Sequence, residues 1–271
     1  MKILQLQTHV YKEKEKNLKQ LASLLAEHCP AMRPDLVMLG EMFACPYDNR
    51  FFPVYAEPDG GDTQQFLAEL AARHGIYLAA GSVPEKDEAG HIYNTAFVFD
   101  WQGRQIAKHR KLHLFDIDVE GGQSFRESDT LTAGDSITVF DTEFGKMGLC
   151  ICFDCRFPEL IRLMVLRGAQ IILVPAAFNM TTGPAHWDVM FRSRAIDNQC
   201  FMVGTSPACD MDFTYHAYGH SIAVSPWGTV LSEMDEKEGA ALTDIDLSEI
   251  ARIRRQLPLL SARRTDLYTL K

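Results

Sequence analysis

Short apolar runs rich in β-branched and aromatic residues recur along almost the whole chain, and a sequence patterned this way buries its core mainly between sheets. They fall at Lys2 to Gln7, Leu36 to Leu39, Ile76 to Val83, Thr95 to Phe99, Ile137 to Phe140, Met147 to Cys152, Ile171 to Val174, Phe201 to Gly204, Ser221 to Ser225 and Leu242 to Ile245. Helical spacing appears between them, in Leu18, Leu21, Leu24 and Leu25, in Phe66, Leu67, Leu70 and Ala71, and in Leu160, Ile161, Leu163 and Met164. A further helical candidate runs from Trp187 to Asn198. The turns Trp101-Gln102-Gly103 and Pro226-Trp227-Gly228 read as hairpin connections. Helices and strands alternate in the early and middle parts, so the pattern predicts an α/β sandwich, two sheets with helices packed outside. No repeat, low-complexity tract or Pro/Ser linker divides the chain, and its 271 residues are expected to form one domain, 1–271.

Composition excludes several function classes. A net charge of −9 disfavours general binding to nucleic acid or anionic lipid and points to a small-molecule partner. The longest apolar run, Ile171 to Val174 with Pro175-Ala176-Ala177-Phe178 after it, falls far short of a membrane span. Met1-Lys2-Ile3-Leu4-Gln5-Leu6 enters a strand pattern directly, without the apolar segment and cleavage site of a signal peptide, so a cytoplasmic location is expected. Seven cysteines, an odd number, then argue for reduced thiols, and the glycosylation match at Asn179-Met180-Thr181 carries no weight.

The chemistry concentrates where apolar runs end. Gly148 to Leu160 takes a strand towards a helix start at Pro158 and leaves Cys152 at the junction, with Cys150 and Cys152 expected on one strand face. A thiol there can meet backbone donors and act as a nucleophile, although inert core packing is the commoner fate of a free cysteine. Carbonyl attack also needs a base and a positive group at the oxyanion. Glu41 ends the run Leu36 to Leu39 just after Gly40, and Lys111 stands where a strand meets the long polar segment Leu112 to Asp135. Taken singly, either charge reads as a solvated strand end. Cys150, Cys152 and Cys155 have no second pair at a fixed distance, so no metal is expected. His109 and His113, flanking Lys111, fit a supporting role, a surface position or a satisfied core position equally.

With Gly40-Glu41, Lys108 to Phe115 and Ile151 to Leu160, the chain resembles the nitrilase, or carbon–nitrogen hydrolase, superfamily over nearly its whole length. That resemblance implies an α-β-β-α sandwich that pairs as a homodimer or larger homo-oligomer, and no cofactor. It assigns Glu41 as general base, Lys111 as the oxyanion-stabilising cation, Cys152 as nucleophile and Glu127 as a second glutamate that orients the lysine. His113 to Val119, Ala177 to Trp187 and Arg194 to Gln199 are most similar to the omega-amidase branch, which hydrolyses the terminal amide of 2-oxoglutaramate or 2-oxosuccinamate. Such a substrate needs a receptor for its distal carboxylate. The candidates are Arg156, whose alternative is an ion pair with Glu159, and Tyr47 together with the backbone around Phe178 and Asn179; Phe153 offers an oxyanion N–H. Amidases of deaminated glutathione or N-carbamoyl compounds are the nearest rivals, with a true nitrilase and a non-catalytic binding protein behind them.

Overall fold

The computed structural model describes residues 1–270. Its eight-stranded sheet runs in the order Gly239–Asp244, Lys2–Gln7, Leu36–Leu39, Tyr77–Ala79, Ile92–Phe99, Val83–Lys86, Glu57–Pro58, with Gln105–Arg110 also paired to Ile92–Phe99. Lys2–Gln7, Leu36–Leu39 and Tyr77–Ala79 are parallel, and parallel neighbours need crossovers, here the helices Lys14–Met32 and Asp62–His74. The six-stranded sheet runs Thr138–Thr142, Gly145–Leu149, Ile171–Pro175, Phe201–Thr205, Ile222–Val224, Val230–Glu233. Its parallel strands are crossed by the helices Pro158–Leu166 and Gly183–Asn198.

Strand alternation sorts the first sheet into two packed faces. Leu4, Leu6, Val37 and Leu39 pack with Leu21, Leu25, Leu67 and Leu70 of the helices, whereas Ile3, Leu36 and Met38 join the core shared with the second sheet. Gln5 points the same way as Ile3 and donates to the Gly204 and Ile222 carbonyls at 2.7 and 3.3 Å, so a buried amide ties the sheets together with its donor satisfied. The layering is the α-β-β-α sandwich that the pattern predicts. Among the described residues, no helix is long and apolar enough to cross a membrane.

Four local expectations change. The run Ile76 to Val83 is two strands, because Gly81 bends the chain at φ 62° against the Gly40 carbonyl, where a Cβ would lie 2.2 Å from that oxygen. The strand expected to reach Cys152 ends at Leu149; Cys152 opens a 3₁₀ turn, Cys152–Arg156, so strand alternation does not set its direction. The segment Leu112 to Asp135 holds a hairpin, Asp116–Asp118 with Ser124–Arg126, and a 3₁₀ turn at Glu127–Asp129. A helix at Ser248–Gln256 has apolar anchors in Ile250 and Ile253 that the sequence reading passed over.

Candidate active site

Close backbone packing fixes the glutamate. Gly40 lies so near Pro207 that a Cβ would sit 2.6 Å from its nitrogen, and the Met42 N–H donates to Ser82 Oγ at 3.0 Å. Glu41 is thereby held fully buried between a close-packed glycine and Met42, which adopts φ 53°. Lys111 follows the strand Gln105–Arg110 and continues its ladder, its N–H donating to the Asn94 carbonyl at 2.8 Å. Cys152 has φ 47°, a left-handed conformation that a side chain adopts at a typical expense of ~1–3 kcal/mol. The turn holding it is pinned by Arg194, which donates to the Cys155 and Arg156 carbonyls at 3.0 and 2.8 Å.

These elements bring the four expected residues together. Lys111 Nζ lies 2.9 Å from Glu41 Oε1 and 2.9 Å from each Glu127 oxygen, with all three side chains inaccessible to water. Glu127 also receives the Phe115 N–H at 2.6 Å and the Tyr47 hydroxyl at 2.5 Å. Glu41 Oε1 takes a further bond from Asn94 Nδ2 at 2.8 Å, while Oε2 receives no N–H or O–H donor. The Cys152 thiol lies beside this carboxylate and is itself only 4% exposed.

Burial raises the Glu41 carboxyl above the ordinary carboxylate value; Lys111 opposes the rise and the Glu127 charge adds to it. Burial disfavours charge on Lys111, yet Glu127 and Glu41 outweigh it and hold the ammonium more firmly than in water. Cys152 is pushed well up by burial and then by the Glu41 charge, against the pull of Lys111 and of the Ala177 N–H. Cys152 therefore rests as a thiol, with a carboxyl group of raised basicity beside it.

The five expected substrate-binding residues separate. Tyr47 lines a small pocket of about 40 Å³ that opens on Glu41 and is walled by Met42, Ala177, Phe213 and Tyr215. Phe153, Arg156, Phe178 and Asn179 do not line it. Arg156 instead lies over the Phe178 and Phe153 rings, 4.5 and 5.6 Å from their centroids, and its Nη1 meets His186 Nδ1 at 3.1 Å. It forms no ion pair with Glu159; its buried Nε has no partner among the described residues. Asn179 Nδ2 donates to Gln123 Oε1 at 2.5 Å, joining the hairpin of the long segment to the strand end after Pro175. Asn94, Asp154 and Tyr215 were missed. Tyr215 stacks on Tyr47 at 4.4 Å and donates to the Ala177 carbonyl; its signal, an isolated aromatic in a polar stretch, is too common to single out.

A family model for carbon-nitrogen hydrolase matches residues 3–255. The chain belongs to the carbon-nitrogen hydrolase family. Omega-amidase NIT2 of Mus musculus is 47% identical to this hydrolase over 98% of its chain and 96% of the relative. The Homo sapiens omega-amidase NIT2 is 45% identical over 98% and 96%. The crystal structure of Saccharomyces cerevisiae Nit3, of branch 10 of the nitrilase superfamily, superposes with a TM-score of 0.90 at 38% identity, covering 97% of this chain and 96% of that one. The Caenorhabditis elegans NitFhit protein also gives 0.90 at 34% identity, with 99% and 66% covered.

Proposed function

We propose that this carbon-nitrogen hydrolase is a cysteine-dependent omega-amidase that converts a small dicarboxylate monoamide, 2-oxoglutaramate or 2-oxosuccinamate, to the 2-oxo acid and ammonia. The observation that carries the reading is the water-excluded cluster of Glu41, Lys111, Glu127 and Cys152, with the thiol beside the Glu41 carboxyl and one oxygen of that carboxyl free of any donor among the described residues. Near-full-length similarity to relatives named omega-amidase supports the substrate class.

In this mechanism Cys152 Sγ attacks the amide carbon while its proton passes to Glu41, and the carbonyl electron pair moves onto oxygen. Lys111 and the Phe153 N–H stabilise that oxyanion in a site where little water screens them. Collapse breaks the carbon–nitrogen bond as Glu41 returns the proton to the departing nitrogen, leaving a thioester. Water then attacks with Glu41 again as base, the carbon–sulfur bond breaks, and the thiol recovers its proton. Glu127 holds Lys111 from the far side, so the ammonium stays near both Glu41 and the reacting carbon.

The test is ammonia release from 2-oxoglutaramate compared with succinamate, deaminated glutathione, an N-carbamoyl amino acid and a simple nitrile, for wild type and Cys152→Ala. The oxo-acid amide is expected to react best and the variant not at all. Preference for another compound moves the assignment to that substrate class, and inactivity on all of them overturns it. Intact-protein mass spectrometry after rapid acid quench is expected to show an acyl adduct on wild type, and sedimentation reads the proposed homodimer.

A further inference from the structure

Asp154 lies two residues beyond the nucleophile, fully buried, and its carboxylate collects donors from both sides of the site. Oδ2 receives the Ile151 N–H at 3.1 Å, just before Cys152, and faces His109 Nε2 at 3.0 Å. Oδ1 receives the His113 N–H at 2.9 Å and faces His113 Nδ1 at 2.7 Å, and the Leu112 N–H reaches Oδ2 at 3.4 Å. His109, Leu112 and His113 bracket Lys111. One carboxylate thus binds the backbone immediately after the lysine, a side chain on either side of it, and the turn that carries the thiol. His113 is held further by stacking on Phe157 at 3.6 Å, and His109 Nδ1 meets Thr138 Oγ1 at 3.0 Å, so neither ring is free to swing away.

We propose that Asp154 is a positioning residue that sets the separation of Lys111 from Cys152, by tying the two chain segments that carry them to a single buried carboxylate, and so sets where Lys111 stands against Glu41. The proposal rests on the roles given above to Glu41, Lys111 and Cys152. The carboxylate is suited to it: burial alone would raise its pKa, but the bonds from His109 and His113 hold it well below the ordinary value, so the tie stays charged. A displacement of about 1 Å in a reacting group can lower turnover about 10²-fold. Asp154→Asn keeps the volume but presents an NH₂ where two donors now point, so the segments must part.

The experiment compares wild type, Asp154→Asn and His113→Ala by steady-state kinetics across pH, by circular dichroism with thermal unfolding, and by the rate of Cys152 alkylation with iodoacetamide. Asp154→Asn is expected to lower kcat about 10²-fold with KM changed less than about threefold. Its acid limb of kcat/KM is expected to move to higher pH. That limb reports Glu41, which is faced by Lys111, Glu127, Tyr47, Tyr215 and Cys152; Lys111 first and the Cys152 thiol second hold it down, so parting these segments raises it. His113→Ala, which keeps the backbone donors, is expected to shift both readouts in the same direction by less, and it decides the question should Asp154→Asn not fold. A folded Asp154→Asn with an unmoved acid limb, or a loss of turnover that only tracks the unfolded fraction, overturns the proposal. The alkylation rate and its pH dependence require no substrate, so a wrong assignment of the amide leaves this test intact; unchanged alkylation in both variants counts against the positioning role.

Discussion

A strand and the residue that follows it hold two buried glutamates with opposite supplies of positive charge. At Lys108 and Arg110 a buried carboxylate, Glu85, meets two cations, Arg110 Nη2 at 2.7 Å and Lys108 Nζ at 2.5 Å, with Thr95 Oγ1 donating at 2.7 Å, while Lys108 Nζ also reaches the exposed Asp59 at 3.0 Å. One residue on, a single cation, Lys111, serves two carboxylates. Lys108 and Arg110 keep 23% and 29% of their side chains in water, whereas Lys111 keeps none. The consequences diverge. Burial would raise the Glu85 carboxyl, but its bonds from Arg110 and Lys108 bring it below the usual range; Glu41 ends above it because burial raises it more than its one cation, Lys111, lowers it, and the Glu127 charge adds to the rise. Excess cation makes a quiet, stabilising carboxylate, and excess carboxylate in a dry site makes a base.

Removing the reacting groups breaks the active half of this contrast most severely. Cys152→Ala is expected to abolish amide turnover, read as ammonia release, since the proposed thioester forms on that sulfur. Glu41→Gln is expected to lower kcat about 10³–10⁴-fold, the upper range for a lost general base, because both half-reactions use it. Lys111→Ala is expected to fall less, about 10²–10³-fold, the scale of one oxyanion donor. A Lys111→Ala enzyme more active than this would mean that the Phe153 N–H carries the oxyanion by itself.

The sequence made these groups legible for a specific reason: each lies just beyond a strand, and their order along the chain matches one family. What tunes them was hidden. Asp154 meets His109 across 45 positions of sequence, a contact that no local periodicity encodes, so the two histidines looked as much like surface residues as supporting ones. The left-handed conformation of Cys152 was invisible because strand alternation extends smoothly through Cys150 to Cys152 on paper, while the chain itself leaves the sheet at Leu149. Gly81 breaks an otherwise unbroken apolar run only because the Gly40 carbonyl occupies the space its side chain would need. The layers of the fold, by contrast, followed from residues such as Val37 and Met38, whose opposite faces are fixed by the pleat.

A smaller change sharpens the contrast by altering the ratio of charges. Glu127→Gln removes the carboxylate charge that raises Glu41 and leaves Lys111 to Glu41 alone. The acid limb of kcat/KM, where Glu41 becomes protonated, is therefore expected to move to lower pH than in wild type. An upward move would show that the loss of Lys111 orientation outweighs the loss of repulsion.

The subtlest prediction asks whether the two carboxylates really have opposite effects on stability. Glu85 is depressed from 4.5, so its contribution is fully present above that value and is lost as pH falls through the lower folded value. Glu41 is raised, so its contribution is fully present below 4.5 and is lost as pH rises through the higher folded value. Glu85→Gln is expected to lower unfolding free energy by about 1.5–3 kcal/mol at pH 7, the scale of hydrogen bonds to charged groups, and to flatten the loss of stability below pH 4.5. Its kcat is expected to stay within about twofold of wild type, as surface-proximal ion pairs rarely reach the chemistry. Glu41→Gln is expected to do the reverse, giving an inactive enzyme that unfolds at the wild-type temperature or above it. Equal destabilisation by both substitutions in thermal melts would dissolve the distinction, since each glutamate would then simply anchor its cation.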